Sequence, residues 1–232
     1  MRKLILSFLL IPILSGFTPA QIFENPIASK KSHPNLEITK LEITDTETII
    51  SLKVTNKISS GGWFCADKNI VIKNTKGSET YDLIKSENIP TCPDQFEFAY
   101  TGQILEFTLY FPAISSDIKF IDLIENCNNA CFFFNGIILD NDHNEKIRTF
   151  EKGFDLYHKN EFEKSIPYFE KVLSGEIMVE SHIYGLSYYY LIFISNKLGS
   201  IEEQEKWYDK LLNSTIPDKQ TFINELKKEI DI

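Results

Sequence analysis

The stretch from Phe150 to Leu173 constrains the fold of this 232-residue chain more than any other, because its apolar residues recur at helical spacing. The polar pair Lys159-Asn160 interrupts that spacing and separates two short helices. Small residues at Gly153 and Ser165 allow the two helix backbones to approach closely, and Phe169 fills the space between them. The pattern therefore predicts a helical hairpin.

The run Gly-x-x-Leu-Tyr-x-x-Asn-x-Phe-x-x-Ser-x-x-x-Phe-x-x-Val, from Gly153 to Val172, resembles the tetratricopeptide repeat family. A second, weaker copy follows, in which Tyr208 takes the place of Phe169, 39 residues further on. Because the family period is about 34 residues, we expect either a longer helix than usual at Glu180 to Lys197 or a different register for the second copy. A final amphipathic helix, Phe222 to Ile230, is expected to cover the end of the stack.

In that family the first helix of each hairpin lines a concave surface that binds extended or helical peptide segments. Carried onto this chain, the resemblance implies seven partner-binding residues: Phe150, Phe154, Tyr157 and His158 from the first hairpin, and Tyr189, Phe193 and Asn196 from the second. Aromatic side chains exposed on such a surface act as binding anchors. The alternative is that these rings pack against the closing helix or the preceding domain.

Residues 1–20 have the pattern of a secretory signal peptide. Met1-Arg2-Lys3 is a charged start, an apolar run extends from Leu4 to Leu14, and small residues lead to Ala20. The apolar run is too short to span a membrane. We expect cleavage after Ala20 and export to the periplasm or the cell exterior. Residues 21–34 lack periodicity, which predicts a flexible leader.

Residues 35–140 contain seven or eight short runs of β type. Apolar and polar residues alternate from Ile50 to Val54 and most clearly from Leu105 to Phe111. Further candidate strands are Leu36–Ile43, Ile70–Ile72, Tyr81–Ile84, Ile118–Ile124 and Phe132–Leu139. This pattern predicts an antiparallel β-sandwich of immunoglobulin-like type, followed by a tetratricopeptide-like helical domain at residues 141–232.

All four cysteines, Cys65, Cys92, Cys127 and Cys131, lie in the predicted sandwich. An even number in an exported chain indicates two disulfides, for which three connectivities are possible. We favour Cys65–Cys92 and Cys127–Cys131. A zinc site is the alternative, but Cys-x3-Cys without a nearby histidine matches zinc motifs poorly.

The junction between the two predicted domains admits two interpretations. Asp140, Asp142 and Asn144 have the 1-3-5 spacing of a calcium loop. Glu145, however, stands where that loop needs glycine. We favour the start of a helix, with Asp142 as its N-cap and Glu145 reaching back to it.

The chain has no motif that points to catalysis. Its four histidines are scattered, and no nucleophile elbow, phosphate-binding loop, dinucleotide fingerprint or metalloprotease motif occurs. We therefore predict that the protein is not an enzyme and has no catalytic, cofactor-binding or metal-binding residues. A formal net charge of −9 at pH 7 and the scarcity of arginine argue against nucleic-acid binding.

These features predict an exported, non-catalytic scaffold that binds another envelope or secreted protein through the helical groove or a sandwich face. The alternative is a β-sandwich that binds a carbohydrate or another small ligand, with Trp63, Phe64 and Tyr100 as stacking residues and the helices as support. The two hypotheses differ in where the aromatic residues lie. An open helical groove favours the first, and an exposed ledge at Trp63 favours the second.

Overall fold

The structure, a computed structural model, describes residues 19–128, 130–178 and 181–230. The chain divides into two compact units, residues 1–139 and 140–232. The described part of the first unit is built from β-strands and that of the second from helices, so the predicted order of a β region followed by an α region is confirmed. The predicted signal peptide lies outside the described residues as far as position 18.

The first unit has twelve described strands, most of them short. In chain order they are β1 (Gln21–Glu24), β2 (Ala28–Lys31), β3 (Leu36–Ile43), β4 (Glu47–Thr55), β5 (Trp63–Phe64), β6 (Ile70–Asn74), β7 (Thr80–Asp82), β8 (Lys85–Glu87), β9 (Phe96–Glu97), β10 (Ile104–Pro112), β11 (Phe120–Glu125) and β12 (Phe133–Ile138). Ten of them form two five-stranded sheets, ordered β1-β3-β4-β10-β8 and β2-β12-β11-β6-β7, and β5 pairs with β9.

The two large sheets share one hydrophobic core. β4 and β10 run antiparallel over nine paired positions, and buried residues alternate with more exposed ones along both strands. Leu52 and Phe107 from one sheet and Ile72 and Ile121 from the other belong to the same buried cluster. Because alternate side chains point to one face of a strand, this pattern buries the inner face of each sheet. Two antiparallel sheets packed in this way form a β-sandwich.

Each of the seven predicted strands overlaps a strand of the structure, namely β3, β4, β6, β7, β10, β11 or β12. The sequence pattern did not predict β5, β8 and β9. These strands have only two or three residues each, which is too short for an alternation of apolar and polar residues to be seen.

The prediction of a flexible leader at residues 21–34 is wrong. β1 pairs with β3, where Phe23 lies opposite Leu41, and β2 pairs with β12. Phe23 is buried in the core of the sandwich. Backbone hydrogen bonds and the buried Phe23 ring order this segment. Its strands have only four residues each, which is too short for a periodic apolar pattern to show in the sequence.

Both favoured disulfides are present. Cys65–Cys92 closes a sequence separation of 27 residues and Cys127–Cys131 one of 4. Since both pairs are bonded, none of the four cysteines is left as a thiolate that could ligate zinc.

The second unit has five described helices: α1 (Asn141–His158), α2 (Phe162–Val172), α3 (Ile183–Lys197), α4 (Ile201–Asn213) and α5 (Lys219–Glu229). α1 and α2 form the predicted hairpin, α3 packs against α2, and both α4 and α5 pack against α3. Buried side chains from these helices, including Phe169, Leu191 and Trp207, form a core of their own. None of the five has the length and apolar character needed to cross a membrane.

α1 and α2 meet where the sequence predicts. An added Cβ at Gly153 would lie 2.9 Å from the Cβ of Tyr168 and 3.2 Å from the Phe169 ring. Ser165 and Phe169 are completely buried on the α2 side. Only glycine therefore lets the two helix backbones come this close.

α1 begins two residues earlier than expected. Its N-cap is Asp140, which has extended backbone and accepts a hydrogen bond from the His143 amide at 2.9 Å. Asp142 lies inside the helix and forms an ion pair with Lys146 at 3.2 Å. The assignment of Asp142 as N-cap is therefore wrong. The residues of the alternative calcium loop from Asn141 onward lie in α1, so this segment is a helix and not a loop.

Replacing Gly153 by valine should destabilise the helical unit. The new side chain would press on the Cβ of Tyr168, which cannot move without moving the α2 backbone. Overpacking of this kind costs about 2 kcal/mol. Urea unfolding monitored by circular dichroism measures the loss, with Lys152→Val, an exposed site on the same helix, as control. Equal stability of the two variants would contradict the tight contact.

Candidate functional site

One face of the helical unit is lined with aromatic rings from α1 and α3. Phe150, Phe154 and Tyr157 recur every three or four residues along α1, so they share one side of that helix. Tyr189 and Phe193 are four residues apart on α3. The first helix of each consecutive helix pair thus supplies the rings.

The rings touch one another in a continuous network. Phe150 and Phe154 stack with centroids 5.9 Å apart, and so do Tyr189 and Phe193. Tyr157 joins the two helices, because its ring lies 6.4 Å from that of Phe193. All five rings are only half-buried. We call this the aromatic surface: Phe150, Phe154, Tyr157, His158, Tyr189, Tyr190 and Phe193.

Tyr190 is the centre of the aromatic surface, although the sequence pattern did not indicate it as a binding residue. Its ring lies 4.8 Å from Tyr157 and 5.5 Å from Phe154, and it stacks on the buried Phe169 at 5.2 Å. Three tyrosines stand in a row at 188–190, and all three lie on a helix that is apolar on every side. The spacing of apolar residues along α3 did not show which of the three tyrosines faces α1.

His158 belongs to the surface and Asn196 does not. The His158 ring is exposed and meets the Phe154 ring edge-on at 4.3 Å. The Asn196 side chain instead donates a hydrogen bond to the side chain of Gln204 on α4, at 3.2 Å. Six of the seven predicted partner-binding residues are therefore brought together, and Asn196 ties α3 to α4.

A carboxylate lies beside the rings. Burial and a hydrogen bond to Glu229, at the end of α5, raise the pKa of Tyr189 well above its usual range. Burial, with a smaller effect of the Glu229 charge, also raises the pKa of Tyr157. For Tyr190 burial is again the largest cause of a raised pKa. The aromatic surface thus combines neutral tyrosines with one negative charge.

The three stacking residues of the alternative hypothesis differ in how far their rings are exposed. Trp63 is 45% exposed, and Tyr100 is 62% exposed. Phe64 is half-buried, because its ring packs against Phe107 and Phe132 of the sandwich core, at 5.9 and 6.0 Å. Phe64 therefore supports the core, and of the predicted stacking residues only Trp63 and Tyr100 offer open rings.

No metal site is evident in the part of the chain that the structure describes. Within it, no group of three or more His, Cys, Asp and Glu side chains is placed to hold an ion.

No family model, curated protein or solved structure matches this chain. The chemistry of its surfaces therefore has to be inferred from its own residues.

Replacing Tyr189 by phenylalanine should reduce the loss of stability at alkaline pH. With a raised pKa, Tyr189 keeps its proton in the folded protein, whereas in the unfolded chain it ionises near its ordinary value of about 10. The free energy of unfolding therefore falls above that pH, because the folded state then binds more protons than the unfolded state.

Urea unfolding at about pH 9 and about pH 11 brackets this ionisation. We expect a smaller fall for Tyr189→Phe than for the wild type, and an intermediate fall for Glu229→Gln. Unchanged circular dichroism at neutral pH is the control for folding. Equal falls in the three proteins would show that Tyr189 is not shielded in the folded state.

Proposed function

We propose that this protein is a non-catalytic interaction protein that binds a segment of another protein on the aromatic surface. The observation that carries the proposal is the network of seven contacting rings that stay partly exposed on the first helices of two helix pairs. Large amphipathic rings held rigidly at a surface provide contact area at low entropic cost, which is why they dominate binding sites.

The fold supports this proposal through the resemblance to tetratricopeptide repeats. α1 with α2 and α3 with α4 pack as consecutive pairs, and α2 packs against α3. α1 and α3 are the helices that would line the peptide-binding face of such an array, and they carry the aromatic surface. We further propose that the sandwich is immunoglobulin-like and that the helices form a short tetratricopeptide-like array.

The charge near the rings favours a basic partner segment. Glu229 lies beside Tyr189, and the whole chain is acidic, with a net charge of −9. The protein's own Lys197 ammonium lies 4.9 Å from the centroid of the Phe193 ring, so a cation already sits over part of this surface. A partner Lys or Arg can gain in the same way from the other rings of the aromatic surface, and from the carboxylate. We therefore propose a segment with a Lys or Arg between apolar side chains.

The disulfides support export of the protein. Bonds such as Cys65–Cys92 and Cys127–Cys131 persist in oxidising compartments and are rare in the cytosol. We propose that the partner is accordingly another protein of the cell envelope or outside the cell, in line with the signal-like residues 1–20.

The double substitution Phe154→Ala with Tyr157→Ala should abolish most of this binding. Fluorescence anisotropy would measure the affinity of the full chain for a panel of short labelled peptides in which Lys or Arg stands between Leu and Phe. Loss of two hot-spot rings should weaken binding at least about 30-fold. The matched control is Leu212→Ala, because Leu212 is 41% exposed on α4 and lies outside the ring network.

Glu229→Gln separates binding from folding. The substitution should weaken the binding of the basic peptides. It should leave unchanged the binding of an otherwise identical peptide that has Gln in place of Lys. The proposal is contradicted if no basic peptide binds. It is also contradicted if the double substitution, with an intact circular dichroism spectrum, weakens binding no more than Leu212→Ala does.

A further inference from the structure

The β unit contains a cleft of about 620 Å³. Clefts that bind small molecules have volumes of roughly 300–1,000 Å³. The lining combines rings with polar side chains, among them Trp63, Phe64, Phe98, His33, Gln95 and Asn128. Size and lining together are those of a ligand site, and this cleft shares no residue with the aromatic surface of the helices.

Trp63 forms an open apolar wall of the cleft. It lies on β5, where it pairs with Glu97 of β9, and it is 45% exposed. Ile58, also on the lining, is 53% exposed. Phe64 anchors the short β5 strand by packing into the core against Phe107. The backbone of Trp63 is therefore held in place, while its indole ring stays accessible.

Asn56 holds the loops next to Trp63 in place. Its buried side-chain amide donates to the carbonyl oxygens of Ile58 at 3.0 Å and Tyr100 at 2.8 Å, and its side-chain oxygen accepts from the Ile58 amide at 3.1 Å. Its backbone N–H donates to the carbonyl of Gln103 at 2.9 Å. One residue thus joins the loop before β5 to the loop before β10.

Two disulfides and a buried carboxylate hold other parts of the lining in place. The disulfides Cys65–Cys92 and Cys127–Cys131 both contribute to the lining. Glu125, also on the lining, is 6% exposed and accepts hydrogen bonds from the amides of Asp67 at 2.7 Å and Phe132 at 2.9 Å. The cleft is therefore preformed, which lowers the entropic cost of binding a ligand.

Several polar groups on the lining are available to a ligand. Within the described ranges, the side chains of Gln95 and Asn128 and the indole N–H of Trp63 have no hydrogen-bond partner. The charged groups do not favour one sign: Lys57 and Asp67 both line the cleft, and the Glu125 carboxylate already accepts two backbone hydrogen bonds. A neutral ligand with many hydroxyl groups meets these conditions best.

We propose that this cleft binds a neutral saccharide. The apolar C–H face of a sugar ring would lie on the Trp63 indole, and its hydroxyl groups would exchange hydrogen bonds with Gln95 and Asn128, which can both donate and accept. Rings that offer an apolar face beside a polar group suit a ligand of this mixed character. The site is separate from the protein-binding surface proposed for the helices, and neither depends on the other.

The full chain would be screened on an array of neutral and acidic oligosaccharides, and the strongest neutral ligand would then be titrated in solution. Tryptophan fluorescence reports the binding, since the chain has only two tryptophans. Trp207 is buried in the helical unit, and the variant Trp207→Phe leaves Trp63 as the sole reporter. Saturable quenching or enhancement in that variant is the expected result.

Trp63→Ala should weaken saccharide binding, measured by calorimetry, about 30-fold, as for loss of a central tryptophan anchor. Gln95→Ala should also weaken it, whereas Tyr100→Ala should not, because Tyr100 is exposed but does not line the cleft. Absence of any neutral saccharide ligand would overturn the proposal. So would a Trp63→Ala protein that is folded and binds as tightly as the wild type.

Discussion

The close approach of α1 and α2 at Gly153 is the contact on which the helical unit depends. It places Phe169, fully buried, against both Phe150 and Tyr190, with ring centroids 5.5 and 5.2 Å apart. Tyr190 in turn supports Tyr157. The half-exposed rings are therefore supported from below by a packed core, and this support holds them in one arrangement instead of letting them collapse inward.

The cleft of the β unit is held by side-chain hydrogen bonds and disulfides more than by regular strand pairing. Its large sheets supply the core, and the lining of the cleft comes mostly from β5 and from loops, with Val54 of β4 and Glu125 of β11. The loops that line it lack the hydrogen bonds of paired strands. They are held instead by the side-chain hydrogen bonds of Asn56 and Glu125 and by two disulfides. Buried polar groups that are fully hydrogen-bonded define a unique geometry, so irregular backbone here is compatible with a rigid site.

Features that depend on residues close together in the sequence could be predicted, whereas features that depend on contacts between distant segments could not. The hairpin at Gly153 and Phe169 and the long strands β4 and β10 follow from local spacing, and the favoured disulfides were also found. β1 and β2 were missed, because partners distant in sequence order them. Tyr190 and Asn56 were missed for the same reason: their importance comes from contacts with other elements that one segment's pattern does not contain.

We propose that the aromatic surface binds a basic segment of another protein. Nuclear magnetic resonance of the full chain, titrated with a peptide that carries Lys between Leu and Phe, tests this most directly. We expect amide shift changes concentrated in α1 and α3, around Phe154, Tyr157, Tyr190 and Phe193, and near Glu229. Shift changes confined to the β unit, or none at saturating peptide, would contradict it.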